Sequence, residues 1–197
     1  MASDALVLGF DTSAAHCAAA LLYGGRVVAA RAEDMGRGQA EHLMPFLQDI
    51  LTSQGAGWSD LARLGVGIGP GNFTGIRISV SAARGLALAL GIPAVGVSSF
   101  DAIVETAGDA ALPAVPAPRG QVFIRAQGAA PRLVPAEQAA AGLPLAFPPA
   151  PDRLAIAIAR LAHAASGKLA APAPLYVRPA DAAPPREAPP VILEDDA

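Results

Sequence analysis

The chain has 197 residues, of which 53% are hydrophobic and only 16% charged, with a net charge of −3. That is enough for one large domain or two small lobes around a sizeable core, and it lacks the basic footprint of an autonomous nucleic-acid binder. A single cysteine, Cys17, excludes an internal disulfide framework and a cysteine-based metal site; in its apolar run it reads as a small core residue.

Leu6 to Phe10 reads as a short buried strand that ends in the polar turn Asp11-Thr12-Ser13. A second strand over 17–23, a Gly24-Gly25 hairpin turn and a third strand over 26–33 follow, an antiparallel set. Ala40, Leu43, Met44, Leu47, Ile50 and Leu51 then recur at helical spacing over 39–54. A short helical turn starts at Ser59 or Asp60, and 64–69 is a strand. Gly67 to Gly71 packs three glycines and a proline into a sharp turn. Thr74 is placed to cap the helix over 75–90. Strands over 94–97, 112–115 and 121–126 and helices over 99–107, 135–141 and 152–166 complete the pattern. The stripe of the last helix is Leu154, Ile158, Leu161 and Ala165. Residues 144–151 read as a proline-rich break, and from Ala170 the chain is Ala- and Pro-rich and extended. No basic leader precedes the first strand, since Asp4 and Asp11 interrupt it. No apolar run long enough to cross a membrane is free of Gly and Pro. The expectation is a soluble, cytoplasmic protein with no membrane partner.

The helix over 75–90 is the most informative element. Apolar residues point in all directions, interrupted only by Arg77, Ser79, Ser81 and Arg84. A helix apolar all round is buried all round. Ser81, Gly85 and Ala89 recur every four residues as a strip of small side chains, which lets another helix approach closely. Mid-helix Gly85 costs roughly 1 kcal/mol against Ala, so a packing reason is expected. That cover is either the rest of the chain or a protein partner. Arg77 and Arg84, seven residues apart, lie on one helix face and either pair with acids of a partner or are simply solvated.

Several motifs carry a family resemblance. Phe10-Asp11-Thr12-Ser13, Glu41-His42-Leu43-Met44-Pro45, Gly67-Ile-Gly-Pro-Gly-Asn-Phe-Thr-Gly-Ile-Arg77 and Gly91-Ile-Pro-Ala-Val-Gly-Val-Ser-Ser-Phe100 are similar to the bacterial TsaB (YeaZ) family. Pro174-Leu-Tyr-Val-Arg178 resembles that family's C-terminal motif. The element order is also that of one lobe of the actin-like ATPases. The resemblance therefore implies an α/β, actin-like ATPase (ribonuclease H-like) fold with a mixed sheet and helices. It would comprise a full N-terminal lobe (1–106), a reduced C-terminal lobe (107–180) and a Pro/Ala-rich tail (181–197).

The resemblance also implies a function. The expected protein is a non-catalytic scaffold in making threonylcarbamoyladenosine beside the tRNA anticodon, touching tRNA only indirectly. It would dimerise with a catalytic TsaD-like subunit, recruit a TsaE-like ATPase and also pair with itself as a homodimer. It would have no cofactor of its own, ATP and a metal being used by the partner subunits. The family's dimer face is built from the two helices of the first lobe, which here offers Glu41, Met44, Leu47, Arg77, Ser81, Arg84, Gly85 and Ala89. The catalytic relatives carry His-x-x-x-His where this chain has Ser99 and Ile103, and isoleucine cannot ligate a metal. The chain departs from the family pattern in having Gln39-Ala40-Glu41 for His-Ser-Glu and Ala117-Pro118-Arg119 for Asp-Ala-Arg.

Two other readings stay open. Asp11, Thr12, Ser13 and Gly71 stand where actin-like relatives approach nucleotide phosphates, and backbone N–H groups of Gly69, Gly71 and Gly75 suit an anion. No Gly-x-x-x-x-Gly-Lys pattern supports this, and Asp11 equally well caps its own turn. A small kinase or acyltransferase using Asp11 is the alternative. A peptidase of the M22 type lacks both a metal pair and a Ser/His/Asp order. His42 reads as a helix-face residue, and Glu41 suits either the dipole of a helix start or a partner.

Overall fold

A computed structural model describes residues 5–139 and 143–177. Its first sheet has five strands in the order β3-β2-β1-β4-β5. These are β1 (Leu6–Asp11), β2 (His16–Tyr23), β3 (Arg26–Asp34), β4 (Leu61–Gly67) and β5 (Ala94–Val97). β2 runs antiparallel to its neighbours β1 and β3, whereas β4 runs parallel to β1, and β5 parallel to β4. The sequence reading has these elements in the right order, but the 3-10 turn at Trp58–Asp60 ends where it was expected to begin, and β4 starts three residues before the expected 64–69.

Period-two alternation divides this sheet into two faces. Leu6, Leu8 and Phe10 with Cys17, Ala19 and Leu21 point to one side. There they meet α1 (Gln39–Thr52) and α2 (Phe73–Leu90), with Leu43, Phe46, Leu47, Ile50 and Leu51 of α1 in the core. The Cys17 thiol donates to Met35 Sδ at 3.5 Å. Burial, then the charges of Glu33 and Asp11, pushes this thiol up to about 11, so it stays protonated and unreactive at neutral pH.

Val7, Ala18, Ala20 and Leu22 point to the other face, which is covered by α5 (Pro151–Ala164) through Ala155, Ala159 and Ala162. The approach is close. A Cβ on Gly9 would lie 2.6 Å from Ala159 Cβ, and one on Gly65 2.8 Å from Ala162 Cβ. Arg63 on β4 then donates to the carbonyls of Ala162 (2.7 Å) and Ala165 (2.6 Å), the unpaired C-terminal end of α5. The buried stripe of this helix is broader than expected and centred on its alanines; Leu161 and Ala165 are only half-buried.

Between these parts lie α3 (Ser99–Ala107) and a second sheet in the order β8-β7-β6-β9. It comprises β6 (Leu112–Ala117), β7 (Gln121–Ile124), β8 (Arg132–Pro135) and β9 (Leu145–Ala146), with α4 (Ala136–Ala139) after β8. β8 and β9 were not foreseen, and β9 falls inside the expected proline-rich break. The expected tail, 181–197, lies outside the described residues, as do 140–142 of the expected fourth helix.

α2 departs from the expectation of burial all round. Gly75, Ile76, Ser79, Val80 and Ala83 face the sheet, whereas Arg77, Ser81, Arg84, Gly85, Leu88 and Ala89 are exposed. Its length and composition would also suit a membrane span. Asn72, not Thr74, caps it by accepting from Gly75 N at 2.9 Å.

Candidate functional site

Asp11 ends β1 and is 1% exposed. Its Oδ2 accepts from Ser13 N (2.9 Å) and Ser13 Oγ (2.9 Å) and lies 2.9 Å from His16 Nε2. Thr12 Oγ1 donates to Gly75 O at 2.6 Å, and Asn72 N donates to Ser13 O at 2.6 Å. The two loops touch so closely that a Cβ on Gly67 would lie 1.8 Å from Asp11 Oδ1, and one on Gly75 1.9 Å from Thr12 O. Gln39, buried at the start of α1, donates from Nε2 to the carbonyls of Thr12 (3.3 Å), Ala14 (2.7 Å) and His16 (2.7 Å). The Asp-Thr-Ser turn is therefore a junction that joins β1, β2, α1 and α2.

Asp11, Thr12 and Ser13, offered with Gly71 as a nucleotide site, have polar groups bonded within the fold, and Asp11 takes the turn-capping role. The same geometry bears on acyl chemistry. Ser13 and His16 both bond to one oxygen of Asp11, whereas an activated serine needs the base beside it. Gln39 was missed by sequence reasoning, because a glutamine at a helix start has no signature separating a clamp from a solvated side chain.

Ser13, His16 and Gly71 line one wall of a cleft of about 720 Å³, with Phe123, Phe147 and Pro148 opposite. Among the described residues no lysine or arginine lines it, so those walls offer a phosphate chain no cationic counter-charge. Also on its wall, Ser99 Oγ donates to Pro70 O at 3.1 Å. Ile103 is fully buried with Phe100 and Val115. Of the two positions expected to match a metal-binding histidine pair, Ile103 is packed core, whereas Ser99 is a buried part of the cleft wall. Among the described residues no group of three His, Cys, Asp or Glu side chains could hold a metal ion.

The other sequence-derived surface is only partly assembled as expected. On α1, Glu41 is exposed and Met44 is 39% exposed. Leu47 is 0% exposed, and its assignment to a partner face is corrected. It lies four residues after Leu43 and three before Ile50, on the stripe that covers the sheet. On α2, Arg77, Ser81, Arg84, Gly85 and Ala89 are all exposed. Leu88, which sequence reasoning omitted, is 86% exposed. Among the described residues nothing lies within 4 Å of where a Gly85 Cβ would stand, so none of them requires glycine there.

A further element borders this face. Leu175 N donates to Ile68 O at 2.8 Å, which anchors the segment after α5 beside the start of α2. Tyr176 stacks on Phe73 with ring centroids 5.1 Å apart, and its hydroxyl accepts from Arg77 Nε at 2.9 Å. The Arg77 guanidinium lies 4.0 Å from the Phe73 ring centroid. The Pro174–Arg178 motif was visible in the sequence, but its docking place was not; Arg178 lies outside the described residues.

Comparison with known proteins locates these features within a family. A family model described as TsaD, tRNA N6-adenosine threonylcarbamoyltransferase, matches residues 30–142. The tRNA threonylcarbamoyladenosine biosynthesis protein TsaB of Escherichia coli K12 is 36% identical over 122 residues, 59% of this chain and 52% of the relative. The chain spans about half the length of the curated relatives it matches. A solved structure described as an uncharacterized protein with similarity to peptidase YeaZ from Pseudomonas aeruginosa aligns with a TM-score of 0.67 at 26% identity. It covers 88% of this chain and 100% of that one. The structure of YeaZ from Pseudomonas aeruginosa aligns with a TM-score of 0.65 at 24% identity over 79% of this chain and 90% of that one, and it shows the same actin-like fold. By motif, sequence and fold, this chain belongs to the TsaB (YeaZ) family, within the wider TsaD family.

Proposed function

We propose that this chain is a non-catalytic scaffold in tRNA threonylcarbamoyladenosine biosynthesis, and that it pairs through α1 and α2 with a TsaD-like catalytic subunit. The observation that carries this reading is the bare face of α2, with Leu88 86% exposed and Gly85 facing open space. An exposed apolar strip of this kind marks an interaction surface, and a glycine that no described contact explains fits a helix approaching from outside. Ile103, packed in the core and unable to ligate a metal, supports a partner role over a transferase role. In this reading the TsaE-like ATPase is recruited by the pair, ATP and metal belong to the partner subunits, and tRNA is contacted through them in the cytoplasm. Free in solution, the same face supports a homodimer.

Reconstitution tests this proposal. Threonylcarbamoylation of tRNA is measured with TsaD-like and TsaE-like subunits, with and without this chain. Activity that requires the chain, with none from the chain alone, is the expected result. Turnover by the chain alone, or full activity without it, would refute the scaffold role.

A further inference from the structure

The bare face of α2 is not simply apolar. It carries two guanidinium groups, Arg77 and Arg84, and its first turn holds no acidic residue. The two are seven residues apart, two helical turns, which is about 10 Å along the axis. The segment after α5 runs beside them and turns the face into a groove with two hollows. One, of about 570 Å³, lies between Arg77, Ser81, Pro174 and Tyr176. The other, of about 540 Å³, lies between Gly85, Leu88, Leu169 and Pro172. Arg84 lines both.

The two arginines are held differently. Arg77 rests on the Phe73 ring and gives its Nε to Tyr176. This fixes the plane of the guanidinium and leaves its two terminal nitrogens to donate outward. Arg84 forms no ion pair or hydrogen bond among the described residues. An arginine among small and apolar side chains, with no acid paired to it among the described residues, is a group open to a counter-charge from a partner.

We propose that α2 and the segment Leu169–Tyr176 form one groove that selects an acidic amphipathic helix of the TsaD-like partner. That helix would carry two carboxylates two turns apart, to meet Arg77 and Arg84, with small side chains between them over Ser81 and Gly85. The inference rests on the functional reading above and adds the chemistry by which the partner is chosen. It also disfavours a second copy of the chain as the main occupant. A two-fold axis through the middle of the Ser81–Gly85 strip passes next to Arg84, so two copies would bring like charges together.

The test compares binding of the TsaD-like subunit to the full-length chain and to Arg84→Glu, Arg84→Gln and Tyr176→Phe, each checked for an unchanged thermal midpoint. Affinity is measured by titration calorimetry across a range of salt. Charge reversal at Arg84 is expected to weaken the complex by at least about tenfold, since like charges across an interface are costly. Arg84→Gln is expected to weaken it less and to flatten its salt dependence. Tyr176→Phe keeps the ring but frees Arg77, and a loss of about twofold to threefold is expected. A wild-type complex that Arg84→Glu leaves unchanged would overturn this inference and leave the scaffold role standing. Self-association that Arg84→Glu abolishes, with partner binding untouched, would also overturn it, in favour of a second copy. No wild-type complex at all would refute the functional reading, and this inference with it.

Discussion

The two helical layers of the first sheet use small residues for opposite purposes. On the α5 side, Gly9 and Gly65 have backbone or side-chain atoms of α5 within 3 Å of where a Cβ would stand. On the α2 side, Gly85 has nothing within 4 Å among the described residues. The first pair of glycines is explained inside the chain, where an alanine-rich helix lies almost on the strands. The third is not. Since a helical glycine is costly, the difference separates a residue kept for folding from one kept for association.

Substitutions at these positions should therefore behave in opposite ways. Gly85→Leu should abolish the complex with a TsaD-like subunit, a loss of more than about 100-fold if a close helix crossing is blocked. The isolated chain should gain stability, by up to about 1 kcal/mol of helix propensity. Calorimetry on the monomer and on the mixture checks both signs. Gly9→Ala should do the reverse. The added methyl meets Ala159 and the backbone of α5, and overpacking of this kind costs about 1–3 kcal/mol. Denaturant unfolding should show that loss, with partner affinity unchanged in the folded fraction.

A smaller effect is expected away from both faces, at Asp101. Burial opposes its ionisation, but hydrogen bonds from Arg125 and Ser98 outweigh that and hold its carboxyl below the usual range. A carboxylate depressed in the folded state contributes stability above its unfolded pKa and loses it as pH falls through the folded value. Its side chain is 49% exposed, so the contribution is under about 1 kcal/mol. Asp101→Asn should flatten the acid limb of stability and leave neutral-pH partner binding unchanged. A loss of binding at pH 7 would extend the interface to α3.

The strands and helices of the first half were legible because each face of each element has its own period. Leu6, Leu8 and Phe10 alternate as a strand, and Leu43, Leu47 and Ile50 recur as a helix. The bare side of α2 was half-legible. The sequence shows a helix with more apolar surface than one face needs, but not which side the sheet takes. Leu88 was overlooked for that reason, whereas Leu47 was assigned outward from the resemblance alone, against its own place in the inward stripe of α1. The partner of α5 was not legible, since a stripe of alanines fits any close surface. β8 and β9 are too short for a periodic signal. The Asp11 junction depends on contacts between residues far apart in the chain, such as Gln39 to Thr12, and no local pattern encodes them. The Tyr176 contact is hidden for the same reason.

The central claim is that α2 is the association surface and the cleft beside Asp11 is not. Hydrogen–deuterium exchange of the chain with and without a TsaD-like subunit tests it most directly. The expected result is new protection in α2 between Arg77 and Ala89 and in the first turns of α1, with peptides lining the cleft, such as that containing Phe123, unchanged. Protection confined to the cleft, with α2 exchanging as in the free chain, would contradict the claim.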